Sequence, residues 1–413
     1  MKIKTVLKGV TFLACASLLT ACGASNSNSN SDKVQLEFFS QKGEMKATLD
    51  EIVADFEKEN PDIDVTLTSV PDAGTVLKTR MANNEAPDII HIYPQNADFK
   101  GWAADGRFLE LDDEAGLSNL SDGAADTYAV EGKIYSLPLN ANAYAIFYNK
   151  DKFEELGLEV PITLAELENV IKVAKEKGEA PFALSLADNW SLNGYGQLAW
   201  ATTAGGFDAT QNILRFSDKG AIKADDTTKQ VANVLSLLTD NGQKGASGAK
   251  YADAVAAFAS GDGLMLPQGI WALPVIREQK PDFEVGTFAL PGKEAGQELT
   301  IGAADLALSI SADSKHPEEA KKFLAYLSSA EVMQKYYDVD GSPTAVKGVE
   351  TEGKFPETEG VTQYAFTDKH LVWLHSEWDS EEEFWNIVVK QVKNPDAETF
   401  AKDLNTFFDT MKK

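Results

Sequence analysis

Cysteine is nearly missing from this chain, and its placement is informative. Only Cys15 and Cys22 occur, both near the start. The body beyond them has no disulfide, no thiol nucleophile and no thiolate metal site. Basic residues are also scarce, 38 against 64 acids, for a formal net charge of −26. Such an acidic body repels nucleic acid and anionic lipid surfaces, which argues against both as partners. After residue 22 no apolar run reaches the ~20 residues of a membrane span. The G-x-S-x-G elbow, the H-E-x-x-H zinc helix and the G-x-x-x-x-G-K-S/T phosphate loop are absent as well. Asp338-Val-Asp340-Gly341 fails as a calcium loop, because Tyr336 takes the first ligand position and Lys347 that of the required glutamate.

What is present begins at the N-terminus. Lys2, Lys4 and Lys8 precede the apolar run Val10 to Leu19, the layout of a secretory signal. Leu19-Thr20-Ala21-Cys22 resembles the bacterial lipobox, in which the cysteine takes a diacylglyceryl thioether and becomes the mature N-terminus. Residues 1–21 are then a signal peptide. Residues 22–32 (CGASNSNSNSD) form a lipidated, flexible Gly/Ser/Asn tether. The plainer alternative is an ordinary secreted protein cleaved before a cysteine. The lipoprotein reading places the body on the extracytoplasmic face of the cell membrane, held by acyl chains alone. Losing the signal's three lysines makes the body more acidic still.

Length allows two to three domains as a soft prior, and 43% hydrophobic residues suits a packed core. Val34 to Phe39 reads as a strand, and Lys46 to Asn60 as a helix with Leu49, Ile52, Val53 and Phe56 on one face. Strands at Ile63–Val70 and Asp88–Tyr93 flank a helix near Thr75–Asn84. This alternation predicts an α/β fold with a mostly parallel sheet covered on both faces. A hairpin is expected over Lys133–Asn149. Thr163 and Glu166 form a capping box for a helix reaching Lys177. Pro317 starts a helix with Ala320, Phe323, Leu324 and Leu327 on one stripe.

Four stretches carry a family resemblance: Asp55-Phe-Glu-Lys-Glu-Asn-Pro61 with Ala86-Pro-Asp-Ile-Ile90, Gly132-Lys-Ile-Tyr-Ser-Leu-Pro138 with Phe147-Tyr-Asn-Lys-Asp-Lys-Phe153, Phe258-Ala-Ser-Gly-Asp-Gly263 with Gln268-Gly-Ile-Trp271, and Asp313-Ser-Lys-His-Pro317. In this order and spacing the chain resembles extracellular solute-binding proteins of the maltose-binding type, including multiple-sugar and raffinose-binding members. The resemblance implies the carbohydrate-binding subunit of an ABC importer. Its fold would be two α/β lobes, each a mostly parallel sheet flanked by helices, joined by three hinge crossings. Placing those at Asn142, Ile301 and Ser328-Ser329 makes the lobes 33–141 plus 302–328 and 142–301 plus 329–413. By the same resemblance Gln41 and Lys42 follow the first strand, Gln95 follows the DII strand, and Asn142 and Asp305 lie at crossings. Trp271 takes a stacking position, and Trp385 is a C-terminal aromatic that packs on ligand. The partners implied are an oligosaccharide and permease subunits, for a monomer with no cofactor and no metal.

A sugar presents apolar C–H faces and a ring of hydroxyls, which aromatic faces and amide or carboxylate groups satisfy. Apart from the resemblance, Asp188-Asn-Trp190 couples carboxylate, amide and indole, and His370 to Asp379 concentrates two tryptophans and two histidines. Trp190 and Trp378 join the site on this ground, Trp378 as a cleft rim, with core packing as the alternative. His91, in an apolar strand, reads as a core histidine. A polyamine, a glycerol-phosphate or a lipid-anchored glycoside hydrolase are the competing functions. An anion would need clustered Arg and Lys, where the loops offer only Lys42, and a hydrolase would need two carboxylates at fixed separation.

Overall fold

The computed structural model describes residues 33–413 apart from Phe366. The expected signal, the expected lipid site Cys22 and the expected tether lie outside the described residues. Among the described residues ten strands occur in chain order: β1 (Val34–Phe39), β2 (Ile63–Thr68), β3 (Ile89–Ile92), β4 (Leu137–Pro138), β5 (Tyr144–Asn149), β6 (Met265–Gly269), β7 (Val285–Phe288), β8 (Thr300–Gly302), β9 (Ala307–Ile310) and β10 (His370–Val372). The first lobe carries the sheet β2-β1-β3-β9-β4 and the second the sheet β6-β5-β7, with β8 and β10 as a parallel pair between.

Period-2 alternation explains why both faces of each sheet are covered. In β1, Phe38 enters one core with Phe56 and Phe323, while its neighbour Phe39 enters another with Ile90, Phe99 and Phe108. The Lys46–Glu59 helix buries Leu49, Ile52, Val53 and Phe56, and the Phe56 ring meets Phe323 edge-on at 4.9 Å. In β5, Ile146 and Phe147 likewise divide between two cores of the second lobe. Thr163 and Glu166 cap the Leu164–Glu176 helix reciprocally.

The α/β architecture is as expected, but the strand directions are only partly parallel. β1 runs parallel to β2 and β3, whereas β9 is antiparallel to β3 and β4, and β5 is antiparallel to both β6 and β7. The reason is the chain path: β9 and β5 leave the crossings and run outward, while their neighbours run inward. The Lys133–Asn149 hairpin does not form either. β4 pairs in the first lobe and β5 in the second, so the segment between them is a crossing.

Three stretches lie side by side there. Leu139 N donates to Leu306 O (2.8 Å), Asn142 N to Ala303 O (2.9 Å) and Ala141 N to Pro343 O (2.8 Å). Gly302 is required by this approach, since a Cβ on it would stand 1.9 Å from Asn142 O. The third stretch in contact here holds Pro343, whereas a crossing at Ser328-Ser329 was expected. Buried Ser328 bonds Asn119 of the first lobe, and the following helix, Ala330–Asp340, sends Val332, Met333 and Tyr336 into the first lobe's core and Tyr337 into the second's. Among the described residues no helix is long and apolar enough to cross a membrane.

Candidate functional site

β1 and β3 end at one edge of the first sheet, and β9 begins there. The loops at that edge carry Gln41, Lys42, Gln95 and Asp305. Facing them, β6 ends at Gly269 and β5 starts at Tyr144. Between the two edges lies a cavity of about 550 Å³. Gln41, Lys42, Gln95, Asn142, Trp190, Trp271, Asp305 and Trp385 all line it. Trp378 does not.

Trp378 is a correction. It is 3% exposed, with its ring among Phe384, Phe407 and Phe408 and its indole Nε1 donating to Gln211 Oε1 (2.9 Å). Position before a helix start suggested a rim; the apolar faces of the last two helices claim the ring instead.

The first lobe supplies a polar network. Lys42 Nζ contacts Asp305 Oδ2 (2.6 Å) and Glu44 Oε1 (2.8 Å), with Lys42 only 1% exposed. Burial opposes its charge, but Asp305 and then Glu44 outweigh it and hold the ammonium well above the usual lysine value. Asn142 Nδ2 donates to the other Asp305 oxygen (3.1 Å). His91 receives Gln41 N at Nδ1 (3.0 Å), so Nε2 carries the proton and donates to Asp305 O (2.6 Å). Burial drives His91 down to about 4, leaving a neutral core histidine as the strand pattern suggested. These groups are consumed by one another, which fixes their geometry and leaves none as a free base or nucleophile.

The second lobe supplies aromatic surface. Trp271 is half-buried over Gly269, whose missing side chain makes the room: a Cβ there would lie 1.9 Å from the indole. Tyr144 meets Trp271 edge-on at 6.2 Å, and Trp190 pairs with Tyr251 at 5.2 Å. Trp373 stacks on His375 at 5.4 Å. Three lining atoms are buried without a hydrogen-bond partner: Gln95 Oε1, the Tyr251 hydroxyl and Trp385 Nε1. Buried polar groups are nearly always satisfied, so this acceptor, this hydroxyl and this donor mark where a polar ligand fits.

Sequence reasoning missed Glu44, Lys78, Tyr251 and Glu381, which line the same cavity. Tyr251 opens an expected helix but carried no loop signal, and Lys78 sits within one. His375 and Trp373 fell inside the flagged His370 to Asp379 stretch, although Trp378 was preferred there. Among the described residues no group of three or more His, Cys, Asp or Glu could hold a metal ion.

Residues 40–334 match the model of the bacterial extracellular solute-binding proteins. The chain belongs to that family. Its members are binding proteins rather than enzymes. This solute-binding protein is 50% identical over 399 residues to the multiple sugar-binding protein of Streptococcus mutans, covering 96% of this chain and 95% of that one. Two solved structures are each 50% identical and cover 92% of the chain. RafE in complex with raffinose superposes with a TM-score of 0.90 over 100% of its length, and the apo form of RafE from Streptococcus pneumoniae with 0.79 over 98%.

Proposed function

We propose that this protein captures a neutral oligosaccharide of the α-galactoside or α-glucoside type between its lobes and delivers it, cleft closed, to the membrane subunits of an ABC importer. The observation that carries the reading is the composition of the cavity wall. Four indoles from one lobe oppose amides, internally paired charges and the single indole of Trp102 from the other, with three buried polar atoms free to bond hydroxyls. Both lysines of the wall are engaged, Lys42 by Asp305 and Glu44 and Lys78 by Asp98 at 2.7 Å. A phosphate would find no unpaired cation there, which disfavours an anionic solute. The names of the relatives at 50% identity, a multiple sugar-binding protein and a raffinose complex, support a sugar.

At equal identity the fit to the raffinose complex exceeds the fit to the apo form. Sequence divergence is the same for both, which supports reading the present lobe arrangement as the sugar-bound, closed one. The lobes we propose are 33–141 with 302–341 and 142–301 with 342–413. Closing about the stretches near Asn142, Ala303 and Pro343 would gain ligand contacts from both sides only in the closed form, which shifts the population toward it. We further propose lipidation at Cys22: Cys22→Ala releases the mature protein from the cell surface, and retention of that variant refutes the anchor. Calorimetry on the mature body with raffinose, stachyose, maltotriose, sn-glycerol 3-phosphate and putrescine tests the ligand. Binding of raffinose or another neutral sugar in preference to the last two is expected; the reverse order overturns the proposal.

A further inference from the structure

Four side chains make contacts from one lobe to the other beside the cavity. Asn96 Nδ2 donates to Glu381 Oε1 at 2.9 Å, His375 Nε2 lies 3.1 Å from Asn96 Oδ1 and 3.1 Å from Glu381 Oε2, and Lys100 Nζ donates to Ser376 O at 2.6 Å. The protonation of His375 follows from its other nitrogen. Gln197 accepts Leu374 N at its oxygen (2.6 Å), so its amide nitrogen faces His375 Nδ1 (2.9 Å) and donates to it. Nε2 therefore carries the proton and shares it between Asn96 and Glu381. The amide of Asn96 is thereby used at both ends, once as donor and once as acceptor, by the opposite lobe.

We propose that Asn96, His375 and Glu381, with Lys100 on Ser376 O, form a latch that sets how long the closed cleft persists. The proposal rests on the reading of the cleft as a sugar site that closes. Asn96 belongs to the first lobe, one residue from Gln95; Glu381 belongs to the second, one helical turn before Trp385, whose backbone N–H the Glu381 carbonyl accepts at 3.0 Å. Gln95 Oε1 and Trp385 Nε1 are two of the three buried, unpartnered atoms of the wall. The latch residues are thus positioning residues, since fixing them fixes the two groups that face a ligand from opposite sides. Burial lifts the Glu381 carboxyl to about 7, against the pull of Lys78 and Asn96 and with the help of Asp98 and Glu382. It drives His375 down to about 3, with Lys100 adding to the effect. Both shifts arise from an environment that the two lobes make together.

The latch makes a kinetic claim that a purely structural role does not. Losing one hydrogen bond to a charged group from the closed state alone should raise the dissociation rate about tenfold and leave the association rate nearly unchanged. The body has no cysteine beyond Cys22, so Glu51→Cys and Glu168→Cys, exposed and on opposite lobes, take a spin-label pair cleanly. Asn96→Ala, Glu381→Ala and Lys100→Ala in this background, with raffinose as probe, should each dissociate faster. Without sugar they should show longer and broader label distances than the wild type. Wild-type rates and distances in all three overturn the latch. If the unmodified protein binds no sugar, the functional reading fails, and the sugar-free label distances still decide the latch.

Discussion

The two walls of the cleft are built from different chemistry. The first lobe's wall, beside Tyr93, Phe99 and Trp102, is held by a network of Lys42, Glu44 and Asp305 with His91 buried behind them. The second lobe's wall is aromatic: six of the seven tryptophans lie from residue 190 onward, and Trp190, Trp271, Trp373 and Trp385 line the cavity. A buried polar network is costly to leave half satisfied, so altering the first wall should register as lost stability. An indole face open to a cavity is already tolerated without a partner, so altering the second should register as lost affinity.

Asp305→Ala is the strongest test. It leaves the buried Lys42 ammonium with Glu44 alone, and breaking such a pair costs about 3–5 kcal/mol. Urea unfolding should show a loss of that size. A loss below about 1 kcal/mol would mean the network is not what holds this wall. Trp378→Ala examines the other lobe from within. Its ring is core, so the variant should lose about 3–5 kcal/mol of stability and keep its sugar affinity when assayed folded. Weakened binding with intact stability would return Trp378 to the cleft.

His91 gives the first wall a pH signature. Its folded value of about 4 lies below the ordinary 6.5, so the unfolded chain binds the extra proton first. Its contribution is complete above pH 6.5 and falls as the pH drops toward 4. Between pH 7 and 5, His91→Gln should therefore lose about 2 kcal/mol less stability than the wild type. Parallel curves for the two proteins would show that His91 is not held neutral. The smallest effect in free energy is Trp271→Ala, expected to weaken raffinose binding about tenfold, or about 1.4 kcal/mol, without lowering the melting temperature. Full affinity would place Trp271 with the core.

The first sheet was legible almost strand by strand, because β1 to β3 are apolar runs separated by helices, the first of which buries a regular apolar stripe. The hairpin expected at Lys133–Asn149 shows where legibility ended. Pattern reveals that β4 and β5 are strands, but a strand carries no mark of the sheet it joins. Trp378 and Trp385 illustrate the same limit among candidate site residues. Both are tryptophans around one helix start, and only the packing of Phe384, Phe407 and Phe408 sends one inward.

Sequence by itself determined the class of the fold, the lack of thiol chemistry in the body, the acidity and, with the family resemblance, eight of the residues that line the cavity. Each of these depends on local periodicity or on residue identity, which the chain displays directly. Tertiary structure alone decided the strand directions, the approach of Pro343 to Ala141 and the contacts of Asn96 with His375 and Glu381. Those are set by long-range approach: Asn96 and Glu381 lie 285 positions apart, and the hydrogen bond between them exists only when two separately packed lobes meet.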